Sequence, residues 1–226
     1  YQKNPILVTK ILDVDGKKVG YLMYDSFTAD YDPQLNDAFG EFLAAGVTDL
    51  ILDLRYNGGG SVDVAEQIMN YLIPEEFSGH LMYTNTYNEN RSTLNEERLF
   101  KKIGNIQLER LIFITSRGSA SSSELIINCL SPYMEVALIG DNTYGKPVGA
   151  ITLSGFYKPL NEQNVELVPI TFAIANAEGR AEYFDGFPAD FPVEDDPSKN
   201  WGDLEERCLK AALEFIRNGT IDIESR

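Results

Sequence analysis

Two short apolar runs, each followed by a glycine- or serine-rich turn and then an amphipathic helix, constrain the fold of this chain most strongly. Residues 50–55 form the first run and lead into the turn at residues 56–61; residues 111–114 form the second and lead into residues 117–124. Short, mostly apolar runs of this kind are typical of strands buried on both faces. Strands that alternate with helices favour parallel crossovers, so the sequence predicts an α/β fold with a mostly parallel sheet.

The apolar periodicity along the chain gives the expected order of elements. Strands are predicted near residues 6–14, 17–24, 48–54, 79–87, 110–116, 135–140, 148–156 and 164–175. Helices are predicted near residues 33–45, 61–73, 92–102, 120–131 and 203–217. The expected N-caps of four of these helices are Asp32, Ser61, Ser92 and Asp203. With 226 residues and 43% hydrophobic content, the chain is long enough to bury one large core.

The second turn places a cluster of serines between a buried strand and a helix. Hydroxyl groups at a helix N-terminus lie beside unpaired backbone N–H groups and the positive end of the helix dipole, which stabilise an oxyanion. The turn is therefore a suitable place for a nucleophile. The alternative is helix capping, because Ser121 and Glu124 match the Ser-x-x-Glu capping box.

The first turn contains three consecutive glycines, residues 58–60. A turn without side-chain bulk allows a carbonyl group to approach backbone N–H groups closely. The turn lacks the lysine of a P-loop and the spacing of a dinucleotide fingerprint, so nucleotide binding is not indicated. Asp53, Arg55 and Asn57 lie at the end of the preceding strand and are expected to fix the turn.

Together the two turns resemble the signatures of the C-terminal processing peptidases, also called tail-specific proteases, which are serine endopeptidases with a Ser-Lys dyad. Residues 53–60 match their Asp-Leu-Arg-x-Asn-x-Gly-Gly signature, and residues 119–124 match Ser-Ala-Ser-x-Ser-Glu. A Gly-Lys turn follows at Gly145 and Lys146, and residues 186–193 resemble a late Gly-x-x-Pro-Asp segment. The resemblance extends over residues 18–217.

This resemblance implies a crotonase-like (ClpP/crotonase) core with a mostly parallel β-sheet flanked by helices. It implies that Ser121 is the nucleophile and Lys146 the general base, and that backbone N–H groups of Gly59 and Ser122 form the oxyanion hole. The chain departs from the family pattern at Ala150, where many members carry a glutamine that orients the lysine. We therefore expect another group, such as the Glu124 carboxylate or a backbone carbonyl, to orient Lys146.

The residues around Lys146 favour this role. Because an ordinary lysine is protonated at neutral pH, a lysine base needs apolar surroundings that disfavour its charge. Residues 136–139 precede Lys146, and Val148, Ile151 and Leu153 follow it, which predicts an apolar wall on either side. A neutral amine could then accept the Ser121 proton.

A Ser-His-Asp triad would have to use His80, the single histidine of the chain. Nothing in the sequence brings His80 near Ser121. We therefore expect His80 to be an ordinary surface or partly buried imidazole.

Charge and cysteine content limit the partners. With 35 acidic and 19 basic residues, the net charge of −16 disfavours nucleic acid and anionic membranes and suits a neutral or basic polypeptide.

No signal peptide or transmembrane run is present, so we expect no membrane insertion by this segment. Cys129 and Cys208 lack metal-ligand spacing and are expected to be buried free thiols, with a disulfide between helices as the alternative. No cofactor or metal is indicated, and the sequence is compatible with a homo-oligomer.

These observations predict a serine endopeptidase that forms an acyl-enzyme. The resemblance implies cleavage of polypeptides near their C-terminal tails, outside the cytoplasm, in the bacterial periplasm or cell envelope. Two alternatives remain open: a non-catalytic peptide-binding relative, and a crotonase-like enzyme that acts on acyl-CoA.

We expect residues 1–226 to form a single peptidase core domain. Relatives of the family usually carry a preceding PDZ domain that binds the C-terminal residues of the substrate. Residues 1–17 are too few to form that domain, so we expect it to be absent from this chain.

Overall fold

The computed structural model describes residues 4–221. Its strands are β1 (Ile6–Val14), β2 (Lys17–Tyr24), β3 (Asp49–Asp53), β4 (Leu81–Thr86), β5 (Glu96–Leu99), β6 (Arg110–Thr115), β7 (Val136–Gly140), β8 (Val148–Ala150), β9 (Ile170–Asn176) and β10 (Phe191–Pro192). Its α-helices are α1 (Asp32–Ala45), α2 (Val62–Leu72), α3 (Ser122–Leu130), α4 (Lys158–Glu162) and α5 (Arg207–Asn218).

The larger of two sheets carries the two apolar runs at its centre. Its strand order is β1-β2-β3-β6-β7-β10, and every pair except β1 with β2 is parallel. Asp53 of β3 pairs with Ile114 of β6, which in turn pairs with Ile139 of β7. The carboxyl ends of these three strands therefore meet at one edge of the sheet, and the glycine turn and the serine turn both leave from that edge.

Helices cover both faces of this sheet, so its central strands are buried throughout. Side chains of α1, α2 and α3 form one core against Leu52 and Phe113, while α5 forms a second core against Ile51 and Ile112. Alternate residues of each strand thus point into different cores, as the pleat requires. This is the mixed α/β architecture that the sequence predicted.

A second, antiparallel sheet of order β5-β4-β9-β8 packs its inner side chains against the first core. The sequence did not indicate this separate sheet. The helix predicted for residues 92–102 is wrong, because a 3-10 helix ends at Leu94 and β5 then pairs with β4. The strands predicted for residues 148–156 and 164–175 are shorter, and the chain between β8 and β9 contains α4 instead.

Helix starts agree with the sequence in one case and differ in others. Ser61 is the N-cap of α2, as predicted. Asp32 is the first residue of α1 rather than its cap, and Glu206, not Asp203, caps α5 by accepting from Cys208 N and Leu209 N. Ser92 caps no α-helix, because none forms there.

The two cysteines are free and buried, on opposite faces of the large sheet. Cys129 belongs to the core under α3, and Cys208 to the core under α5. Burial between the sheet and its helices keeps them apart, which decides for free thiols over the disulfide alternative. None of the helices within residues 4–221 combines the length and apolar character needed to cross a lipid bilayer.

Candidate active site

Ser121 lies at the N-cap of α3, directly beyond the carboxyl end of β6. Its backbone has φ 56° and ψ −112°, a conformation that L-residues rarely adopt. The Ser121 N–H donates to Glu124 Oε2 at 3.0 Å, which forms the carboxylate half of the predicted capping box. The Ser121 side chain is half-buried, so its hydroxyl is within reach of a substrate.

The hydroxyl groups of the neighbouring serines donate to backbone carbonyls. The Ser119 hydroxyl donates to Leu54 O at 2.7 Å, and the Ser123 hydroxyl donates to Asn57 O at 2.8 Å. Ser122 is buried, and its hydroxyl donates to Gly60 O at 2.9 Å. These three bonds fasten the serine turn to the glycine turn that follows β3.

Gly59 is the closest part of the glycine turn to Ser121. A Cβ atom at Gly59 would lie 2.8 Å from Ser121 Cβ and 3.0 Å from Ser122 N, and the Gly59 φ of 103° also disfavours any L side chain. Gly58, by contrast, has open space around the position of a Cβ. Close packing against Ser121 and Ser122 therefore requires glycine at position 59.

Asn57 holds the glycine turn in shape. Its side chain is fully buried, donates from Nδ2 to Tyr24 O at 2.8 Å and accepts from Gly59 N at 2.9 Å. Its backbone carbonyl accepts from Ala120 N at 3.0 Å. The Gly59 N–H that the resemblance assigns to an oxyanion hole is thus bonded to Asn57 Oδ1 in this conformation.

The Glu124 carboxylate joins the Ser121 turn to the Lys146 segment. Oε2 accepts from both Ser121 N at 3.0 Å and Lys146 N at 2.8 Å. Oε1 accepts from Thr143 Oγ1 at 2.7 Å and Gly145 N at 2.6 Å. Because Glu124 is fully buried, these four charge-assisted bonds fix the relative position of the two segments without solvent screening.

Lys146 lies in the loop between β7 and β8, and its side chain is half-buried. Pro147 beside it is buried, and the apolar side chains of Val148, Ile151 and Leu153 are half-buried. Ala150, at the position where the resembled family carries glutamine, is exposed in β8. The structure therefore brings the backbones of Ser121 and Lys146 together through Glu124.

His80 does not belong to this site. It is exposed at the start of β4 in the smaller sheet, where its ring contacts Phe77 and Tyr133 edge to face. This agrees with the expected surface imidazole.

Asp53 and Arg55 lie on the other side of the glycine turn, where Arg55 binds Asp53 and Glu206, the N-cap of α5, instead of Ser121. The Arg55 guanidinium forms paired bonds with the carboxylates of Asp53 and Glu206, and a further bond of 2.7 Å with Asp195. Burial opposes the charge of Arg55, but the bonds with Asp53 and Glu206 raise its pKa overall. Arg55 also stacks over the ring of Trp201 at 5.0 Å.

A cavity of about 540 Å³ opens at the same sheet edge, on the side of α5. Arg55, Tyr56, Arg117, Asp195 and Cys208 contribute to its lining, whereas Ser121 and Lys146 do not. Burial raises the pKa of the Cys208 thiol to about 12, so this thiol is not a nucleophile at neutral pH. The cavity is therefore distinct from the Ser121 site.

Sequence reasoning missed three residues that bind either Glu124 or Arg55. Thr143 lies in a segment that the sequence singles out, but its bond to Glu124 had no recognisable signal. Glu206 and Asp195, the partners of Arg55, lie in a stretch rich in acidic residues where no single carboxylate stands out.

The part of the chain that contains both turns and Lys146 also matches known proteins. The model of peptidase family S41 matches residues 18–158, more than half of the chain. The carboxyl-terminal-processing protease of Synechocystis is 30% identical over 132 residues, which cover 58% of this chain and 29% of that protein. The carboxyl-terminal-processing protease of Picosynechococcus is 24% identical over 203 residues, which cover 80% of this chain and 47% of that protein. The chain thus spans less than half the length of these two curated relatives.

Solved structures share the fold. An S41 protease from Bacteroides fragilis superposes with a TM-score of 0.90 at 31% identity, covering 97% of this chain and 59% of that one. The photosystem II D1 C-terminal processing protease superposes with a TM-score of 0.65 at 19% identity, covering 86% of this chain and 49% of that one. At that lower identity the second likeness concerns the fold alone.

Proposed function

Since this chain belongs to peptidase family S41, we propose that it is the single core domain of a serine endopeptidase with Ser121 as nucleophile and Lys146 as general base. The observation that carries the proposal is the Glu124 carboxylate, because one oxygen atom accepts from the backbone N–H groups of both Ser121 and Lys146. We also retain the crotonase-like class of the core as a proposal.

In the proposed reaction, the Lys146 amine takes the hydroxyl proton as Ser121 Oγ attacks a peptide carbonyl carbon. The tetrahedral intermediate collapses to an acyl-enzyme as Lys146 returns the proton to the leaving amine. Water then attacks the ester, Lys146 accepts a proton from that water, and Ser121 recovers its hydroxyl hydrogen. Glu124 is a positioning residue in this scheme, since it bonds only backbone N–H groups and the Thr143 hydroxyl.

The oxyanion is proposed to bind backbone N–H groups of Ser122 and of the glycine turn. For Gly59 to contribute, its N–H must exchange Asn57 Oδ1 for the oxyanion. Gly60 is a second donor in the same turn. Gly59 O accepts from Phe27 N, and Ser61 N donates to Phe27 O. The N–H and carbonyl of Gly60 therefore point away from Phe27. The Gly60 carbonyl accepts a hydrogen bond from the Ser122 hydroxyl.

The substrate is proposed to be a polypeptide cut near its C-terminal tail, outside the cytoplasm, in the bacterial periplasm or envelope. Both cyanobacterial relatives carry the name carboxyl-terminal-processing protease, which supports this choice. A PDZ domain that delivers the tail would have to lie outside residues 1–226, and assembly into a homo-oligomer is compatible with the proposal.

The test is digestion of an unfolded protein, with peptide products identified by mass spectrometry. Ser121→Ala and Lys146→Ala should each lower kcat by at least about 10³-fold, because each removes a group that acts on the reacting atoms. Exposed Ser92→Ala and Lys101→Ala serve as matched controls and should cleave like the parent.

Three outcomes would contradict the proposal. Cleavage that survives Ser121→Ala would mean that another nucleophile acts. Absence of cleavage by the folded parent protein would favour the non-catalytic peptide-binding alternative, and acyl-CoA binding in calorimetry would favour the crotonase-like enzyme.

A further inference from the structure

We propose that the free edge of β8 binds the substrate polypeptide as an added β-strand and carries it to Ser121. This inference rests on the proposed protease function and adds how the substrate is held. Residues 147–157 and 167–177 contain no charged residue, in a chain whose net charge is −16. These two segments, here called the uncharged ribbon, contain β8 and β9 and pair with each other.

The hydrogen bonds of the ribbon determine which groups face outward. Ile174 N donates to Pro147 O at 3.3 Å, Ile151 N to Pro169 O at 3.3 Å, and Leu153 N to Leu167 O at 2.8 Å. In an antiparallel ladder the residues between these points direct their N–H and carbonyl groups away from the partner strand. The backbone groups of residues 148, 150 and 152 therefore face the open edge, with which no strand pairs within residues 4–221.

The protein protects one edge of this sheet and leaves the other open. β5, the opposite edge strand, carries Glu96, Glu97 and Arg98, and charged side chains are a common means of preventing strand pairing. The β8 edge has no such charge for its whole length. Exposed apolar side chains lie along the uncharged ribbon, where Phe156 is 80%, Ile170 66% and Val168 50% exposed.

The position of the edge identifies the occupant. It begins two residues after Lys146, whose backbone shares a Glu124 oxygen with that of Ser121, so a strand added there starts in the neighbourhood of Ser121. A second copy of the chain is disfavoured, because two molecules with a charge of −16 repel each other. An extended, apolar segment of an unfolded polypeptide matches both the uncharged surface and its unpaired backbone groups.

Thr152 offers a direct test, because it is exposed and its N–H faces the open edge. Thr152→Pro removes that N–H without removing a bond to β9, and proline is tolerated on an edge strand in this orientation. Thr152→Glu keeps the N–H but adds the type of charge that protects β5. Thr152→Val is the matched control, since it keeps both the N–H and the branched, uncharged side chain.

Two measurements are made on each variant. The first is kcat/KM for reduced, carbamidomethylated ribonuclease A, a permanently unfolded polypeptide without net negative charge. The second is the rate at which a fluorophosphonate, a small reagent that needs no strand pairing, labels Ser121. We expect Thr152→Pro and Thr152→Glu to lower kcat/KM by about threefold to tenfold through KM, the loss of roughly one backbone bond. Thr152→Val should stay within about twofold, and labelling should be unchanged in all three.

The outcomes separate this inference from the protease proposal. If the parent protein is neither labelled nor active, the proposed function is wrong, and strand addition to a protease site is wrong with it. If labelling is normal and Thr152→Pro and Thr152→Glu cleave like Thr152→Val, the protease stands and strand addition is wrong. If sedimentation velocity shows a dimer that Thr152→Glu dissociates, the edge binds a second copy and the inference is overturned. If Thr152→Pro does not fold, Thr152→Glu alone decides.

Discussion

At the scale of single residues, Ser121 combines a strained backbone with an accessible hydroxyl. A φ of 56° with ψ of −112° costs about 1–3 kcal/mol for a residue with a Cβ. The conformation persists because the bonds of Ser119, Ser122, Ser123 and Glu124 hold the turn from both sides. Similar strain at a strand-to-helix turn is found where α/β-hydrolases present their nucleophilic serine.

The strain predicts a difference in stability between two variants that lack the Ser121 hydroxyl. Ser121→Gly should be more stable than Ser121→Ala by about 1 kcal/mol, because glycine alone adopts this conformation without a Cβ penalty. Urea denaturation with equal m-values gives the comparison. Equal stability of the two variants would show that position 121 is not in the left-handed region in solution.

Single residues also show where sequence reasoning succeeds and where it stops. The spacing of Ser121 and Glu124 revealed the capping box, because both partners lie in one turn of the chain. The bonds from Glu124 to Gly145 N and Lys146 N had no such signal, since any residue supplies a backbone N–H. Only the fold determines which of them reaches the carboxylate.

At the scale of elements, Arg55 connects the end of β3 to the start of α5. It bonds Asp53 within its own segment and Glu206, the residue that caps α5, and all three side chains are buried. The glycine turn begins immediately after Arg55. The position of that turn thus depends on the docking of the last helix.

Removal of the guanidinium should therefore be strongly destabilising. Arg55→Met leaves the buried carboxylates of Asp53 and Glu206 without a counter-charge and should lower the free energy of unfolding by about 3–5 kcal/mol. Lys158→Met breaks the exposed pair with Glu162 and should change it by less than about 0.5 kcal/mol. Chemical denaturation of both variants tests this contrast, and similar small losses would mean that the Arg55 cluster is hydrated and weak.

Elements formed by local pattern were predicted well, and those formed by distant contacts were not. The central strands and α1 to α3 followed from apolar runs and helical spacing. Residues 96–99 read as part of a helix, yet they form β5 because β4 supplies backbone partners at a distance in sequence. The N-cap of α5 is Glu206 and not the predicted Asp203, because Glu206 also binds Arg55 across the sheet edge.

At the scale of the whole molecule, buried phenols govern stability in alkali. Burial raises the pKa of Tyr21, Tyr24, Tyr83 and Tyr183 above the ordinary value of 10.0. Their stabilising contribution is complete below pH 10 and is lost as the pH rises above it, because the unfolded chain ionises first. Burial lowers the pKa of Lys102, which acts in the opposite direction. Burial also raises the pKa of the Tyr71 and Tyr133 phenols and of the Cys129 and Cys208 thiols, which act in the same direction as the four buried tyrosines.

The free energy of unfolding should therefore fall steeply above about pH 10, by about 1 kcal/mol per pH unit for each buried tyrosine. Urea denaturation between about pH 8 and pH 11 measures the slope. Tyr183→Phe should reduce this slope by the contribution of one tyrosine, since phenylalanine cannot ionise. A slope that stays flat above pH 10 in the parent protein would mean that these phenols titrate normally.

The pairing of β3 with β6 has a consequence for how the molecule is made. Residues 54–109 separate the two strands, and the segment at residues 143–146 must close over both turns before Glu124 has its partners. Contacts between such distant segments form late in folding. A newly synthesised or partly unfolded copy therefore exposes its uncharged ribbon while the Ser121 turn is still unassembled. If the proposed protease activity holds, self-digestion can then occur only between molecules, so dilution during refolding should preserve the chain.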